Sequence, residues 1–184
     1  MIQIALLRAI NVAGRQPVAM SDLRAFLSEL GFAQPRSLLQ SGNLIFDAGR
    51  KAGPALERLL ERKLALRFNL RTDVMVRSAA EWASVVARNP FRDEAARDPA
   101  RLVVVFLKSK ATARAFDELR AAIAGPEFVH GDGRQAYIIY PDGIGRSRLT
   151  GAVIERKLAT RGTARNWNTV TKVAALVSRF RSSL

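Results

Sequence analysis

Residues 101–140 decide the fold, and they read RLVVVFLKSKATARAFDELRAAIAGPEFVHGDGRQAYIIY. The valine-rich run from Leu102 to Leu107 has no polar residue, which is typical of a strand buried in the middle of a sheet. A helical pattern follows from about Thr112 and stops at Gly125-Pro126. Two further apolar segments flank Gly131-Asp132-Gly133, a strong hairpin signal. The stretch therefore predicts a strand, a helix and two paired strands.

The rest of the second half extends this pattern. Pro141 to Gly145 is expected to be a loop, Leu149 to Leu158 a helix, and Gly162 to Arg165 a candidate for a short closing strand. A final helix is predicted from the apolar residues that recur on one side of it, which are Val170, Val173, Val177 and Phe180. We therefore expect the order βαββα(β), followed by a C-terminal helix.

The first half begins with the same kinds of element. Ile2 to Leu7 has the length of a strand, and Asn11 to Ala19 has the composition of a loop. Ser21 is the expected N-cap of an amphipathic helix that ends at Gly31. Pro54 is expected to open a second helix, because proline is favoured in the first helical turn.

The segment between these two helices has two interpretations. Ser37 to Gln40 and Leu44 to Phe46 are apolar pieces on either side of Ser41-Gly42-Asn43. They form either two strands joined by a tight turn or one strand with a glycine bulge. Asp73 to Arg77 alternates like a further strand. With two strands in the ambiguous segment, the first half also has the order βαββαβ.

A polar segment is expected to separate the halves. Ser78 and Glu81 form a capping box for a third helix. Arg92 to Pro99 is charged and contains proline, which makes it the candidate linker between an N-terminal domain, residues 1–92, and a C-terminal domain, residues 99–184. We find no residue-level repeat between the halves, so any duplication is expected to be topological only.

The composition excludes several kinds of site. The chain has no cysteine and one histidine, His130, so disulfides, thiolate catalysis and Cys/His zinc sites are excluded. His130 precedes a glycine-rich turn, where a solvated side chain is expected rather than a catalytic one. No metal or cofactor is expected. No apolar run approaches the roughly 18 residues of a membrane span, and Met1 to Arg8 lacks the features of a secretion signal, so we expect a cytoplasmic protein.

The net charge is the most unusual global property. Thirty basic and sixteen acidic side chains give +14 at pH 7. From Arg134 to the C-terminus there are ten basic and two acidic residues, so +8 of this charge lies in the last 51 residues. Such an excess attracts polyanions, and nucleic acid or a phosphorylated small molecule is the expected kind of partner.

Two segments of the first half are candidate binding residues. Arg8 and Asn11 follow the first strand, at the opening of a long loop, and such loops often carry ligand sites. The compact sequence Ser41-Gly42-Asn43 offers a side-chain amide and backbone N–H groups. The alternative is that Arg8 is a solvated charge and that the others only form turns.

Two segments of the second half have a composition suited to anions. Asp142 to Arg148 combines two glycines with Arg146, Ser147 and Arg148 ahead of a helix, the general requirement for an anion site at a helix N-terminus. It has neither the P-loop nor the dinucleotide spacing. A second cluster brings amides, an indole and cations together, namely Arg165, Asn166, Trp167, Asn168 and Lys172. This cluster would suit a phosphate and a stacked base, unless Asn168 is an N-cap and Trp167 a core residue.

Three segments together resemble a bacterial family of unknown function, domain-of-unknown-function family 1697. They are Leu7 to Val12, Gln40 to Asn43 and Thr163 to Thr169, and they occur in the family's order. Ala9 and Ala13 stand where the family pattern has glycine. The resemblance implies two ferredoxin-like α+β subdomains and no established activity. The positions that match its motifs are Arg8, Asn11, Ser41, Gly42, Asn43, Arg165, Asn166, Trp167 and Asn168.

Three functions remain open at this point. The first is a module that binds an anionic ligand, such as nucleic acid or a nucleotide, through a basic C-terminal surface. The second is a small enzyme for a phosphorylated or carboxylated molecule, with Arg8, Arg148 and Arg165 among its anion-binding residues, although the sequence shows no acid–base pair. In the third, the charge is only solvated and the motifs are structural.

Overall fold

The computed structural model of the protein describes residues 1–11 and 17–181, and it confirms the α+β class. The described chain contains two four-stranded antiparallel sheets. It divides into two compact units. One comprises Met1–Ser84 and the residues from Val173 onward, and the other comprises Val85–Lys172. The domain boundary expected from sequence, between 1–92 and 99–184, stays a prediction.

The first unit is built on strands in the spatial order β2-β3-β1-β4. These strands are β1 (Ile2–Leu7), β2 (Ala33–Leu38), β3 (Asn43–Asp47) and β4 (Val74–Ser78). Helix α1 (Met20–Glu29) connects β1 to β2, and α2 (Gly53–Phe68) connects β3 to β4. This is the ferredoxin-like order. Because β2 and β3 pair as separate antiparallel strands, the two-strand interpretation of this segment is confirmed and the single bulged strand is wrong.

The second unit repeats that order, as β6-β7-β5-β8. Its strands are β5 (Leu102–Leu107), β6 (Phe128–Asp132), β7 (Gln135–Ile139) and β8 (Gly162–Asn166). Its connecting helices are α5 (Ala113–Ala121) and α6 (Gly151–Leu158). Helix α3 (Ala79–Ala87) follows β4 directly, and α7 (Trp167–Arg181) follows β8 in the same way. The candidate closing strand is therefore β8.

Each sheet packs its own helices on one face. In the first unit Ala5, Leu7 and Phe46 belong to a core shared with Leu23 and Leu60 of the helices. In the second unit the corresponding core contains Val103, Val105, Ile138, Phe116 and Ile154. The residues between these positions along β1 and β5 are also buried, which are Ile2, Ile4, Leu6, Leu102, Val104 and Phe106. Both central strands are therefore buried on both faces.

Several helix boundaries follow from their capping residues. Ser78 and Glu81 form the expected capping box, because Ser78 N donates to Glu81 Oε2 at 2.7 Å and Glu81 N donates to Ser78 Oγ at 3.2 Å. Thr112 caps α5 by accepting a 3.1 Å bond from Ala115 N. Gly31 has a φ of 79°, which suits a glycine just beyond the end of a helix.

Two local expectations are wrong, and one segment contains a helix that the sequence did not predict. Helix α1 begins at Met20 and its N-cap position is Ala19 rather than Ser21, because burial of Met20 extends the helix by two residues relative to a Ser21 cap. Asn166 rather than Asn168 caps α7, since its Oδ1 accepts a 3.0 Å bond from Thr169 N. The candidate linker contains a helix, α4 (Arg92–Arg97), which has acidic residues in its first turn and Arg97 in its last.

The side chain of Gln3 is an unusual polar group in the first core. Gln3 lies on the helix-facing side of β1, opposite Phe46 and Ser78, and is 1% exposed. Among the described residues, neither its amide nitrogen nor its amide oxygen has a hydrogen-bond partner. A buried amide without a partner costs about 1–3 kcal/mol. Gln3 therefore reduces the stability of the first unit.

Replacement of this amide by an apolar side chain of similar length should stabilise the protein. We expect Gln3→Met to raise the free energy of unfolding by about 1–2 kcal/mol, because methionine fills the space without a desolvation cost. Denaturant unfolding measures the change, and the exposed Gln34→Met variant is the control, expected within about 0.5 kcal/mol of the parent. A loss of stability in Gln3→Met would instead indicate that the amide binds a buried water.

Candidate anion-binding site

The predicted residues of the first half meet at one end of the first sheet. Asn11 joins the loop after β1 to the β2–β3 turn, since its Nδ2 donates to Gln40 O at 3.0 Å and to Val18 O at 3.1 Å. Its Oδ1 accepts from Val18 N at 2.8 Å. Every polar atom of this amide is therefore bonded to the backbone. Asn11 therefore links Val18 to Gln40, and its amide has no donor left to offer a ligand.

The Ser41-Gly42-Asn43 segment is also fixed, by hydrogen bonds and by a close contact at Gly42. Asn43 is fully buried, and its Nδ2 donates to Leu38 O at 2.8 Å and to Ser41 Oγ at 3.0 Å. Gly42 has a φ of 74° and accepts a 2.9 Å bond from Leu7 N. A Cβ at Gly42 would lie 2.8 Å from Ile10 Cδ1 and 2.9 Å from Leu7 Cβ, so only glycine allows this approach.

Arg8 directly follows β1 at the same end of the sheet. Its backbone is fixed on both sides, because Arg8 N donates to Asp73 O at 3.0 Å and Arg8 O accepts from Thr72 Oγ1 at 2.6 Å. Ala9 follows with a φ of 50°, the left-handed region that favours glycine. This explains physically why the family pattern has glycine at this position. Ala13, the other such position, lies outside the described residues.

The corresponding end of the second sheet has the same backbone bonds and a more basic set of side chains. Leu107 N donates to Arg134 O, and Lys108 N donates to Arg161 O, both at 2.8 Å. Ser109 N donates to Thr160 Oγ1 at 3.0 Å. These bonds bring the residues that follow β5 against those that precede β8.

A hollow of about 540 Å³ opens at this end. We call it the basic hollow, and it is lined by Lys108, Ser109, Ala152, Glu155, Arg156, Ala159, Thr160 and Arg161. Its charged groups are three cations and one carboxylate. Glu155 accepts a 2.9 Å bond from Gly162 N, so this carboxylate is engaged by the backbone. Arg156 and Arg161 are exposed. The net positive charge and the two hydroxyls make the hollow suitable for an anion.

The predicted C-terminal cluster lies at the other end of β8. Trp167 is buried, whereas Asn168 and Lys172 are exposed on α7. Arg165 is 7% exposed, and its Nη1 donates at 2.8 Å to both Thr163 Oγ1 and Ala164 O. Burial lowers the pKa of Arg165 to about 10. The structure therefore places Arg165 within the sheet and not in the basic hollow.

Arg148 lies elsewhere in the second unit. It lines a smaller cavity of about 300 Å³, together with Arg146, Ser147, Glu127 and Asp142. Helix α6 begins three residues further on, and Thr150 caps it by accepting from Val153 N at 3.4 Å. Two carboxylates offset the two guanidinium groups of this cavity. The basic hollow is therefore the more electropositive of the two.

The sequence patterns identified neither Arg77 nor the residues of the basic hollow as candidates. Arg77 is 1% exposed near the end of β4, and its Nη1 donates to Val76 O at 2.9 Å. Arg165 makes the same bond to the carbonyl before it. Each arginine is followed by the residue that caps the next helix, Ser78 or Asn166. The repeated sequence of arginine, capping residue and helix is the signal that could have identified the pair.

The described residues provide little basis for metal chemistry. Nowhere in 1–11 and 17–181 do three or more His, Asp or Glu side chains assemble as a metal site. His130 is exposed on β6, with its ring 6.3 Å from that of Tyr137. In the same part of the chain, no helix combines the length and the hydrophobicity needed to cross a membrane.

The fold and these motifs define an α+β protein with two ferredoxin-like units. The chain belongs to the family described as protein of unknown function (DUF1697), whose model matches residues 1–137. It is similar in structure to a conserved bacterial protein from Streptococcus pneumoniae, with a TM-score of 0.71 and 21% sequence identity over 95% of this chain and 97% of that one. That likeness shows the shared fold. No curated protein matches the sequence.

The close approach at Gly42 can be tested against a second glycine. We expect Gly42→Ala to lower the free energy of unfolding by more than about 2 kcal/mol, because the added Cβ meets both Ile10 and Leu7. Gly49 also has a positive φ, but a Cβ there meets nothing within 4 Å, so Gly49→Ala should cost only about 1 kcal/mol. Equal losses in denaturant unfolding would contradict the proposed contact.

The left-handed backbone at Ala9 predicts that a substitution to glycine raises the stability of the protein. Ala9→Gly should stabilise the protein by about 0.5–1 kcal/mol, because glycine adopts a φ of 50° without a steric penalty. Ala164→Gly, at the exposed central position of strand β8, is the control and should destabilise, since glycine weakens a strand interior. Thermal unfolding measures both changes, and a lower melting temperature for Ala9→Gly would refute the prediction.

Proposed function

We propose that the protein binds nucleic acid through the basic hollow and the basic surface around it. The observation that carries the proposal is the arrangement of Lys108, Arg156 and Arg161 around one opening in a chain of net charge +14. Phosphate groups are the anions that such a set of ammonium, guanidinium and hydroxyl donors fits best.

Further cations extend the surface beyond the hollow. Arg134 Nη2 donates to Lys108 O at 2.9 Å, and Ala111 N donates to Gly133 O at 3.1 Å. The segment from Lys108 to Ala111, which includes exposed Lys110, therefore lies against the β6–β7 turn. Several basic side chains on one surface support contacts to successive phosphates of a strand rather than to one isolated anion.

The residues of the hollow favour contacts to the sugar–phosphate backbone. None of its lining residues is aromatic, so the hollow offers no platform for base stacking. Its one carboxylate, Glu155, is already bonded to Gly162 N, and it has no histidine to act as an acid–base partner. These features support binding with little sequence preference over catalysis on a phosphorylated small molecule.

Substitution of two cations tests the proposal. Fluorescence anisotropy with labelled single-stranded RNA and DNA of mixed sequence should detect binding by the parent protein at about 50 mM salt. Arg156→Gln with Arg161→Gln should weaken binding and reduce the slope of log K against log salt by about 1–2, because up to two phosphate contacts are lost.

A matched double variant separates local contacts from total charge. Arg114→Gln with Arg120→Gln removes the same charge from α5, where these arginines pair with Glu118 and Asp117. This variant should keep the parent salt slope. Equal weakening by both double variants would show that only net charge matters, and no binding by the parent at about 50 mM salt would refute the proposed function.

A further inference from the structure

The cavity that contains Arg148 is a second candidate site, separate from the basic hollow. It has a volume of about 300 Å³, at the lower end of the range for small-molecule pockets. Three segments of the second unit form it: residues 124–127 after α5, Tyr140 directly after β7, and residues 142–143 with 146–148. We call it the Ser147 cavity, because Ser147 connects two of these segments.

One carboxylate of the Ser147 cavity is fixed in position. Ser147 Oγ donates a hydrogen bond to Glu127 Oε1 and accepts a 2.9 Å bond from Leu149 N. A Cβ at Gly125 would collide with the Glu127 carboxylate, so glycine makes room for it. Because Glu127 is already oriented, a ligand cation would meet it without the entropic cost of ordering a free side chain.

The charges that line the cavity balance. Arg146 and Arg148 face the same space as Glu127 and Asp142, two cations against two carboxylates. Tyr140 is buried, and its hydroxyl donates to Leu149 O at 3.1 Å. Burial, with a smaller contribution from Glu127, raises the pKa of Tyr140 to about 12, so this phenol adds no charge at neutral pH. A ligand with only one sign of charge would be attracted by half of these groups and repelled by the other half.

We propose that the Ser147 cavity binds a small zwitterion of the free α-amino acid class. In this arrangement the ligand ammonium group faces Glu127 and the ligand carboxylate faces Arg146 and Arg148, where a guanidinium can bind it with two parallel hydrogen bonds. The site is independent of nucleic-acid binding in the basic hollow, since the two cavities share no lining residue.

The experiment titrates the full, ¹⁵N-labelled chain with individual L-amino acids at millimolar concentration and follows amide resonances by NMR. At least one amino acid should shift the resonances of Gly143, Ser147 and Leu149 saturably. Its N-acetyl and carboxamide derivatives should each bind at least about tenfold more weakly, because each loses one charge-assisted interaction. If no amino acid shifts these resonances, or if both derivatives bind as well as the parent compound, the proposal is overturned.

Two variants and one control locate the site. Glu127→Gln should reduce the affinity for the selected amino acid, with a smaller effect on its N-acetyl derivative. Arg148→Gln should show the reverse preference, with a smaller effect on the carboxamide derivative. Glu118→Gln, on the exposed surface of α5, should leave the affinity unchanged. If Glu127→Gln and Arg148→Gln weaken all compounds equally, the assumed orientation is wrong.

The same titration of the Arg156→Gln, Arg161→Gln protein separates the two proposals. Amino-acid binding should persist in this variant, because neither arginine lines the Ser147 cavity. Loss of nucleic-acid binding together with retained amino-acid binding supports both sites. Loss of both in a variant that keeps its melting temperature would contradict the independence of the Ser147 cavity.

Discussion

The burial of one central strand on both of its faces is the constraint on which each unit depends. β1 pairs with β3 and β4, and β5 pairs with β7 and β8 in the same way. A strand without a solvent-facing side favours apolar residues along its length, with Gln3 as the exception in β1, so polar chemistry concentrates at the strand ends. The functional candidates of this protein accordingly lie at strand ends and in the loops that follow them.

The two units place residues at those ends by the same backbone bonds. The bond from Leu7 N to Gly42 O corresponds to the bond from Leu107 N to Arg134 O. Likewise, Arg8 N donates to Asp73 O and Lys108 N donates to Arg161 O, and these two acceptors directly precede the edge strands β4 and β8. What differs is the side chains. In the first unit they complete a tightly bonded turn, whereas in the second unit they surround a basic hollow. The same backbone bonds therefore support a closed, hydrogen-bonded turn in the first unit and an open, basic hollow in the second.

The sequence predicted the arrangement of elements better than it predicted the site. Apolar runs and helical periodicity determine burial locally, so β1, β5 and α5 could be recognised from residues near one another. The basic hollow depends on strand pairing, because Lys108 and Arg161 are far apart in sequence and meet only in the register of β5 against β8. The sequence signals at Asn11, Gly42 and Asn43 marked positions that the backbone requires for its own hydrogen bonds.

The charge of the chain and the family it belongs to are therefore separate sources of information about function. The family match covers residues 1–137 and does not include Arg156 and Arg161, so it supplies no evidence about these two arginines. The buried arginines Arg77 and Arg165, in contrast, occupy equivalent places in two units and bond to equivalent carbonyls. A cation enclosed within a sheet is shielded from a polyanion in solvent, whereas exposed cations at a strand end can release counterions on binding. The proposed binding of nucleic acid therefore depends on the exposed cations and not on Arg77 or Arg165.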